Sequence, residues 1–477
     1  MAIARLKFLS KDEEELVHEQ SMKSLATLGI MVKNDRVLKM LGDAGAAIDE
    51  STNIAKIPED MVNDAVKNAP KSIVLGARNP KHDKKIPVET YPLVTTTGLA
   101  VYTTDLETGE KRPSTDADLA NFSKLADALD GIDVNWTTVT ATDVNQETLA
   151  IRSLWTALKT GGKHVQVVPA ARDGKDARKQ VELAALVAGG EDELRKRPLF
   201  SVIACPIAPL TFDTGPVDAQ VEFAKAGIPV AALSMSLPGL SAPVTMAGTL
   251  VNINTENLAS LLISQTAAAG APFIYSSESA PMDVKTGMMD YASLMFPLIC
   301  AGASQMANRY RLPTMVASWG VETESPGLLL PFSDVFLGAV SPLSGSDMIS
   351  GAGCIDSAKG ASLEQLVIDS YMWEDIRAIM KMYEITEETA ALKVVEEVGH
   401  GNSFLNHVHT ARNFRKELII RDPEKKKWQA TMSDKMVPEV RELVQRILKD
   451  HQVPSIDADT LRKGDELIAN YEKELGV

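Results

Sequence analysis

The chain has 477 residues, 45% hydrophobic and 24% charged, enough to bury a large core and to build a barrel with added segments. A formal net charge of -15 excludes nucleic acid and anionic membrane as main partners, since both carry the same sign. No apolar run approaches the ~20 residues of a membrane span. The opening Met1-Ala-Ile-Ala-Arg-Leu-Lys7 meets Lys11-Asp-Glu-Glu-Glu15 too soon to be a secretory leader, so a cytoplasmic protein is expected.

Ser10-Lys-Asp-Glu13 has the form of a capping box, which predicts a helix from there to about Leu28, closed by Gly29. Short helices are expected around Arg36–Leu41 and Pro58–Asn68, and strand-like pieces at Ser72–Leu75 and Leu99–Thr103. Residues 1–112 are read as an N-terminal α/β extension. From Asp116 onward helices and short apolar strands alternate, with strands at Asp133–Val139, His164–Val168, Leu199–Ala204, Val230–Ser234, Phe273–Ser276 and Thr314–Ser318. Parallel pairing follows, because each crossover needs a helix. Ala226-Gly-Ile-Pro229, Ala269-Gly-Ala-Pro-Phe273 and Arg311-Leu-Pro313 each close a helix and open a strand. They recur at roughly 40 residues, the length of one βα unit with a generous loop. The expected fold is therefore α/β, a (β/α)8 TIM barrel with its core in residues 113–360. No Gly-x-Gly-x-x-Gly follows an early strand, which disfavours a dinucleotide-binding sheet. Residues 361–477 turn helical. Val440, Leu443, Val444, Ile447 and Leu448 share one helix face, expected to cap the barrel or to make a subunit contact in a homo-oligomer.

Barrel enzymes carry their chemistry at the C-terminal ends of the strands. Those ends hold Trp136, Cys205, Tyr275, Glu278, Trp319 and Glu322 with many small hydroxyls, and no hydrolase triad or glycosidase pair. Cys205, Cys300 and Cys354 lie far apart without a neighbouring histidine and are read as buried small hydrophobes. His407-x-His409 is the only tight histidine pair and has no thiol near it, so no protein-bound metal is expected. The Gly/Ser-rich Gly338–Ser346 and Gly351–Gly353 fit either plain barrel loops or a phosphate cradle, with no P-loop lysine.

Gly239-Leu-Ser-Ala-Pro-Val-Thr-Met-Ala-Gly-Thr-Leu-Val251, followed by Ala269-Gly-Ala-Pro-Phe-Ile-Tyr-Ser276, resembles the trimethylamine methyltransferase superfamily. Gly109-Glu-Lys-Arg-Pro-Ser114, Leu125–Leu129, Ile207-Ala-Pro-Leu-Thr-Phe212, Glu364–Asp369 and Gly401–Leu405 with His409-Thr410 spread the match over most of the chain. The resemblance implies a TIM barrel that passes a methyl group to the Co(I) of a cobalamin-type corrinoid carried by a cognate corrinoid protein. The founding enzymes carry pyrrolysine near the stretch corresponding to Gly327–Ser333, where this chain has only standard residues. It therefore resembles the branch that takes quaternary amines such as glycine betaine, proline betaine or carnitine. Thr323-Glu-Ser-Pro326 departs from the family's pattern in the same region.

Such a reaction needs neither a general acid nor an activated nucleophile. A quaternary nitrogen leaves as a neutral amine, and the protein's work is to position one N-methyl group and exclude water. Aromatic faces around the cation are then expected, each worth ~0.5–2 kcal/mol. The expected substrate-binding residues are Trp136, Tyr275, Trp319, Tyr102 and Phe332, with Glu278 and Glu322 facing the ammonium and His409 from the family-like His-Thr pair. His164 is read as structural, and Arg309 and Arg311 as salt-bridging. Two other classes fit the same barrel: a lyase or aldolase using Lys163 or Lys285, and a non-catalytic betaine- or corrinoid-binding subunit.

Overall fold

A computed structural model describes residues 6–168, 171–285, 287–317, 323–327, 332–380, 384–417 and 436–477. Eight parallel strands close into a barrel in chain order: β1 (Leu93–Thr96), β2 (Val134–Trp136), β3 (His164–Val167), β4 (Phe200–Ala204), β5 (Val230–Ser234), β6 (Phe273–Ser277), β7 (Thr314–Ala317) and β8 (Met348–Ala352). Closure leaves no edge. The barrel begins earlier than residue 113, because β1 lies within the stretch read as an extension. Helix Phe332–Leu343 covers much of the supposed Gly/Ser-rich loop, and Gly351 belongs to β8.

Alternation along the strands sorts side chains into two layers. Leu93, Val134, Trp136, Ile203, Leu233, Ile274, Met315 and Met348 fill the interior. The floor is an antiparallel pair, Ile73–Leu75 with Lys84–Ile86, which adds Ile73, Leu75 and Ile86 to that core. His164 is buried near it, with Nδ1 2.8 Å from the Gly76 carbonyl oxygen and Nε2 2.9 Å from Ser201 Oγ. Burial brings its pKa down to about 4, so the imidazole is neutral and structural.

Outward residues pack under the helices. Phe273 and Tyr275 meet helix Met246–Ala267, a 22-residue element wedged against helices Lys11–Thr27 and Met295–Arg309. The first helix starts as expected: Ser10 Oγ accepts from the Glu13 N–H, the Glu13 carboxylate accepts from the Ser10 N–H, and Gly29 follows with φ +77°. Of the predicted late face, Val440 and Val444 are buried, and Leu443, Ile447 and Leu448 pack at the margin beside Phe122 and Leu366. The face thus caps the barrel's own helices. Residues 384–417 instead form short helices that leave Ile385, Leu392 and Leu405 exposed.

Candidate active site

The C-terminal ends of the strands surround a mouth, and Trp136 forms one of its inner walls. Its indole is 4% exposed and lies against the Gly98 backbone just past β1; a Cβ on Gly98 would come within 2.5 Å of Trp136 Cε3. Gln166 is its register partner on β3, pointing to the same side. Trp136 Nε1, both polar atoms of the Gln166 amide and Ser276 Oγ are buried without a hydrogen-bond partner among the described residues. Such atoms cost about 1–3 kcal/mol each when left unmet, so each calls for a polar partner.

Glu278 follows β6, with its N–H donating to the Ser234 carbonyl at 3.0 Å. Alternation from the inward Ile274 turns its side chain toward the axis. The residue is half-buried, no hydrogen bond or ion pair to its carboxyl occurs among the described residues, and burial pushes its pKa up to about 7. A carboxylate that is reluctant to ionise alone gains its charge when a cation arrives.

Glu256, on helix Met246–Ala267, ties the mouth together from behind. Its carboxylate accepts from Ser234 Oγ at 2.5 Å, the Leu210 N–H at 3.0 Å and Asn252 Nδ2 at 3.0 Å. Asn252 also donates to Ser236 Oγ, and the Ser236 N–H donates to Ser279 Oγ, both at 2.8 Å. Loops after β4, β5 and β6 are thereby fixed to one another. Burial raises the Glu256 carboxyl, and its hydrogen bonds oppose that rise. Across the mouth, Asp356, Ser357 and Ala358 all have left-handed φ values of 53°, 50° and 68°. Each costs about 1–2 kcal/mol in a non-glycine residue. Asp356 is held in place by Lys111 at 2.7 Å and Lys359 at 3.1 Å.

The expected site residues separate on this scaffold. Trp136 and Glu278 face the interior. Tyr275 does not: it is fully buried in the outer layer and its hydroxyl donates to Asn254 Oδ1 at 3.2 Å. The β6 alternation that turns Ile274 inward turns Tyr275 outward. Tyr102 lies on a small sheet beside the mouth, half-exposed, with the Lys111 ammonium 4.9 Å from its ring centroid, so one aromatic face is already taken. His409 lies in the exposed segment, its N–H donating to His407 Nδ1; no hydrogen bond or ion pair joins it to the mouth among the described residues. Trp319, Glu322 and the Phe332 side chain lie outside the described residues. Sequence reasoning missed Gln166, Glu256 and Asn252. A signal existed in the polar run Asn252-Ile-Asn-Thr-Glu-Asn257 on an otherwise apolar helix, every residue of which is buried.

Burial shifts the thiols and Lys163 away from their ordinary pKa values. Cys205 is solvent-exposed at the mouth rather than buried as expected, yet its recessed setting and Glu278 hold its pKa at about 12. Burial likewise keeps Cys354 at about 12 and raises Cys300 well above its ordinary value. Burial lowers the Lys163 pKa to about 8, but its ammonium donates to the carbonyls of Ala126, Leu129 and Ile132, each at 2.7 Å, which rules it out as a Schiff-base lysine. Among the described residues no cluster of His, Cys, Asp or Glu could hold a metal ion, and no helix is long and apolar enough to cross a membrane.

Eight parallel strands closed into a barrel, with the helices packed outside them, define the chain as a (β/α)8 barrel. The chain belongs to the trimethylamine methyltransferase (MTTB) family, whose model matches residues 1–476. It is 30% identical to trimethylamine methyltransferase MttB of Desulfitobacterium hafniense, over 98% of this chain and 94% of that protein. MttB of Methanosarcina barkeri is also 30% identical, over 98% and 96%. The glycine betaine methyltransferase of Desulfitobacterium hafniense strain Y51 is 25% identical over 99% of both chains. The monomethylamine methyltransferase MtmB of Methanosarcina barkeri shares the fold, with a TM-score of 0.51, 12% identity and 93% coverage of each chain.

Proposed function

We propose that the chain moves an N-methyl group from a small quaternary amine of the betaine type to the Co(I) of a corrinoid carried by a separate protein. The observation that carries this reading is the pairing of charges the mouth invites. Glu278 is an unpartnered carboxyl suited to a quaternary ammonium, while the Trp136 indole N–H, the Gln166 amide and the Ser276 hydroxyl are unpartnered donors suited to a betaine carboxylate. A simple methylamine would leave those donors unmet. The absence of pyrrolysine near Gly327–Ser333 and the glycine betaine relative support the same choice.

When docked, the corrinoid supplies the nucleophile; this chain supplies position and dryness. The N–CH3 bond breaks with its electron pair remaining on nitrogen, so the amine leaves neutral and no proton is moved. That fits a chain whose thiol pKa values are raised and whose His164 and Lys163 are engaged at the floor of the barrel. A docking surface for the carrier is supported by exposed apolar side chains on loops around the mouth: Leu99 after β1, Ile207 after β4, Leu240 and Val244 after β5, Val284 and Leu294 after β6, all at least 42% exposed. Clustered exposed hydrophobics of this kind mark interaction sites.

Calorimetric titration tests the substrate class. Glycine betaine is expected to bind at least about tenfold more tightly than trimethylamine, a difference of about 1.4 kcal/mol. Equal or tighter binding of trimethylamine would contradict the betaine assignment.

A further inference from the structure

The barrel face opposite the mouth carries a cleft of about 970 Å³ between helices Lys11–Thr27 and Glu59–Asn68 and the turn entering β7. Six cations line it: Lys7, Lys11, Lys67, Lys71, Arg309 and Arg311. Its two carboxylates are already engaged. Glu14 pairs with Lys11 at 2.9 Å and accepts from Gln305, while Asp347 accepts from the Val88 and Thr314 N–H groups, both at 2.9 Å. Arg309 pairs with Glu15, as the sequence led us to expect, but Lys7, Lys67 and Arg311 have no ion pair among the described residues. Lys71 is tethered to the Val66 and Tyr310 carbonyl oxygens, which keeps its charge in the cleft. A concentrated positive pocket on a chain of net charge -15 concentrates anions locally.

Arg311 adds an independent observation. The helix-to-strand turn recurs three times, and the first two use glycine at the left-handed position, Gly227 at φ +77° and Gly270 at φ +83°. The third places Arg311 there at φ +53°, where a side chain is strained and glycine would not be. The guanidinium is thus kept at a position whose backbone favours its removal, on the wall of the cationic cleft.

We propose that this cleft is a second ligand site, for a small phosphorylated anion bearing two or more negative charges. Guanidinium and ammonium groups match phosphate oxygens through charge-assisted hydrogen bonds, and the volume lies at the upper end for small-molecule sites. The site is remote from the mouth and stands independently of the substrate reading.

Calorimetry on the full chain with inorganic pyrophosphate, at fixed ionic strength, tests it. Pyrophosphate is expected to bind the parent protein, and Arg311→Gly to weaken it about tenfold while melting no lower than the parent, because glycine relieves the left-handed backbone. Lys67→Gln should weaken binding further, and Glu278→Gln should leave it unchanged because that residue is at the other face. The proposal is overturned if pyrophosphate gives no binding at roughly 10 mM, if Arg311→Gly binds it as the parent does, or if citrate binds as tightly.

Discussion

Glu278→Gln is expected to lower kcat/KM for a quaternary amine by roughly 30- to 1000-fold, the equivalent of about 2–4 kcal/mol for losing one partner of a desolvated charge pair. The amide keeps the shape and removes only the charge. With a carboxyl pKa of about 7 in the free protein, kcat/KM of the parent should rise with pH and level off above 7, falling about tenfold per pH unit well below it. The variant should show no such inflection. Stability moves the other way. The folded pKa lies above its ordinary value of 4.5, so the penalty for ionising Glu278 is absent below that value and complete above 7. Glu278→Gln should therefore melt higher than the parent at pH 8, with the difference vanishing near pH 4. A variant that retains parental kcat/KM and its pH inflection would remove Glu278 from the site.

Trp136 carries the second large effect. Trp136→Ala should destabilise the fold by about 3–5 kcal/mol, because a buried indole leaves a cavity that the barrel wall cannot close. Stability alone would not separate packing from recognition. Trp136→Phe keeps an aromatic face but loses the unpartnered N–H. It should retain most of the melting temperature while raising KM for a betaine at least about tenfold, in line with about 1.5–3 kcal/mol for a hydrogen bond to a charged group. Gly98→Ala probes the same contact from the other side. Its Cβ would sit 2.5 Å from the indole, so about 1–3 kcal/mol of overpacking is expected. Parental stability in Gly98→Ala would mean that the indole does not rest on that backbone.

Six barrel strands were readable from the sequence because each is a short apolar run, and the helices between them require parallel pairing. The other two were not. β1, Leu93-Val-Thr-Thr96, and β8, Met348-Ile-Ser-Gly-Ala352, are rich in small and hydroxylated residues and look like loops outside the closed barrel. Their pairing with each other, which closes the cylinder, is a tertiary fact. The site divided along similar lines. Strand-end position singled out Trp136, Glu278 and Tyr275 alike, but facing depends on register, and a one-residue step turned Tyr275 into the outer core. Glu256 was invisible to strand-end reasoning because it acts from a helix behind the mouth.

Methyl transfer itself tests the central claim most directly. The purified chain, mixed under anaerobic conditions with free cob(I)alamin and, separately, glycine betaine, proline betaine, carnitine or trimethylamine, should form methylcobalamin with at least one quaternary amine and release the corresponding tertiary amine in equal amount. Trimethylamine should give little or none. Methylcobalamin from trimethylamine alone, or from none of the four, would contradict the account.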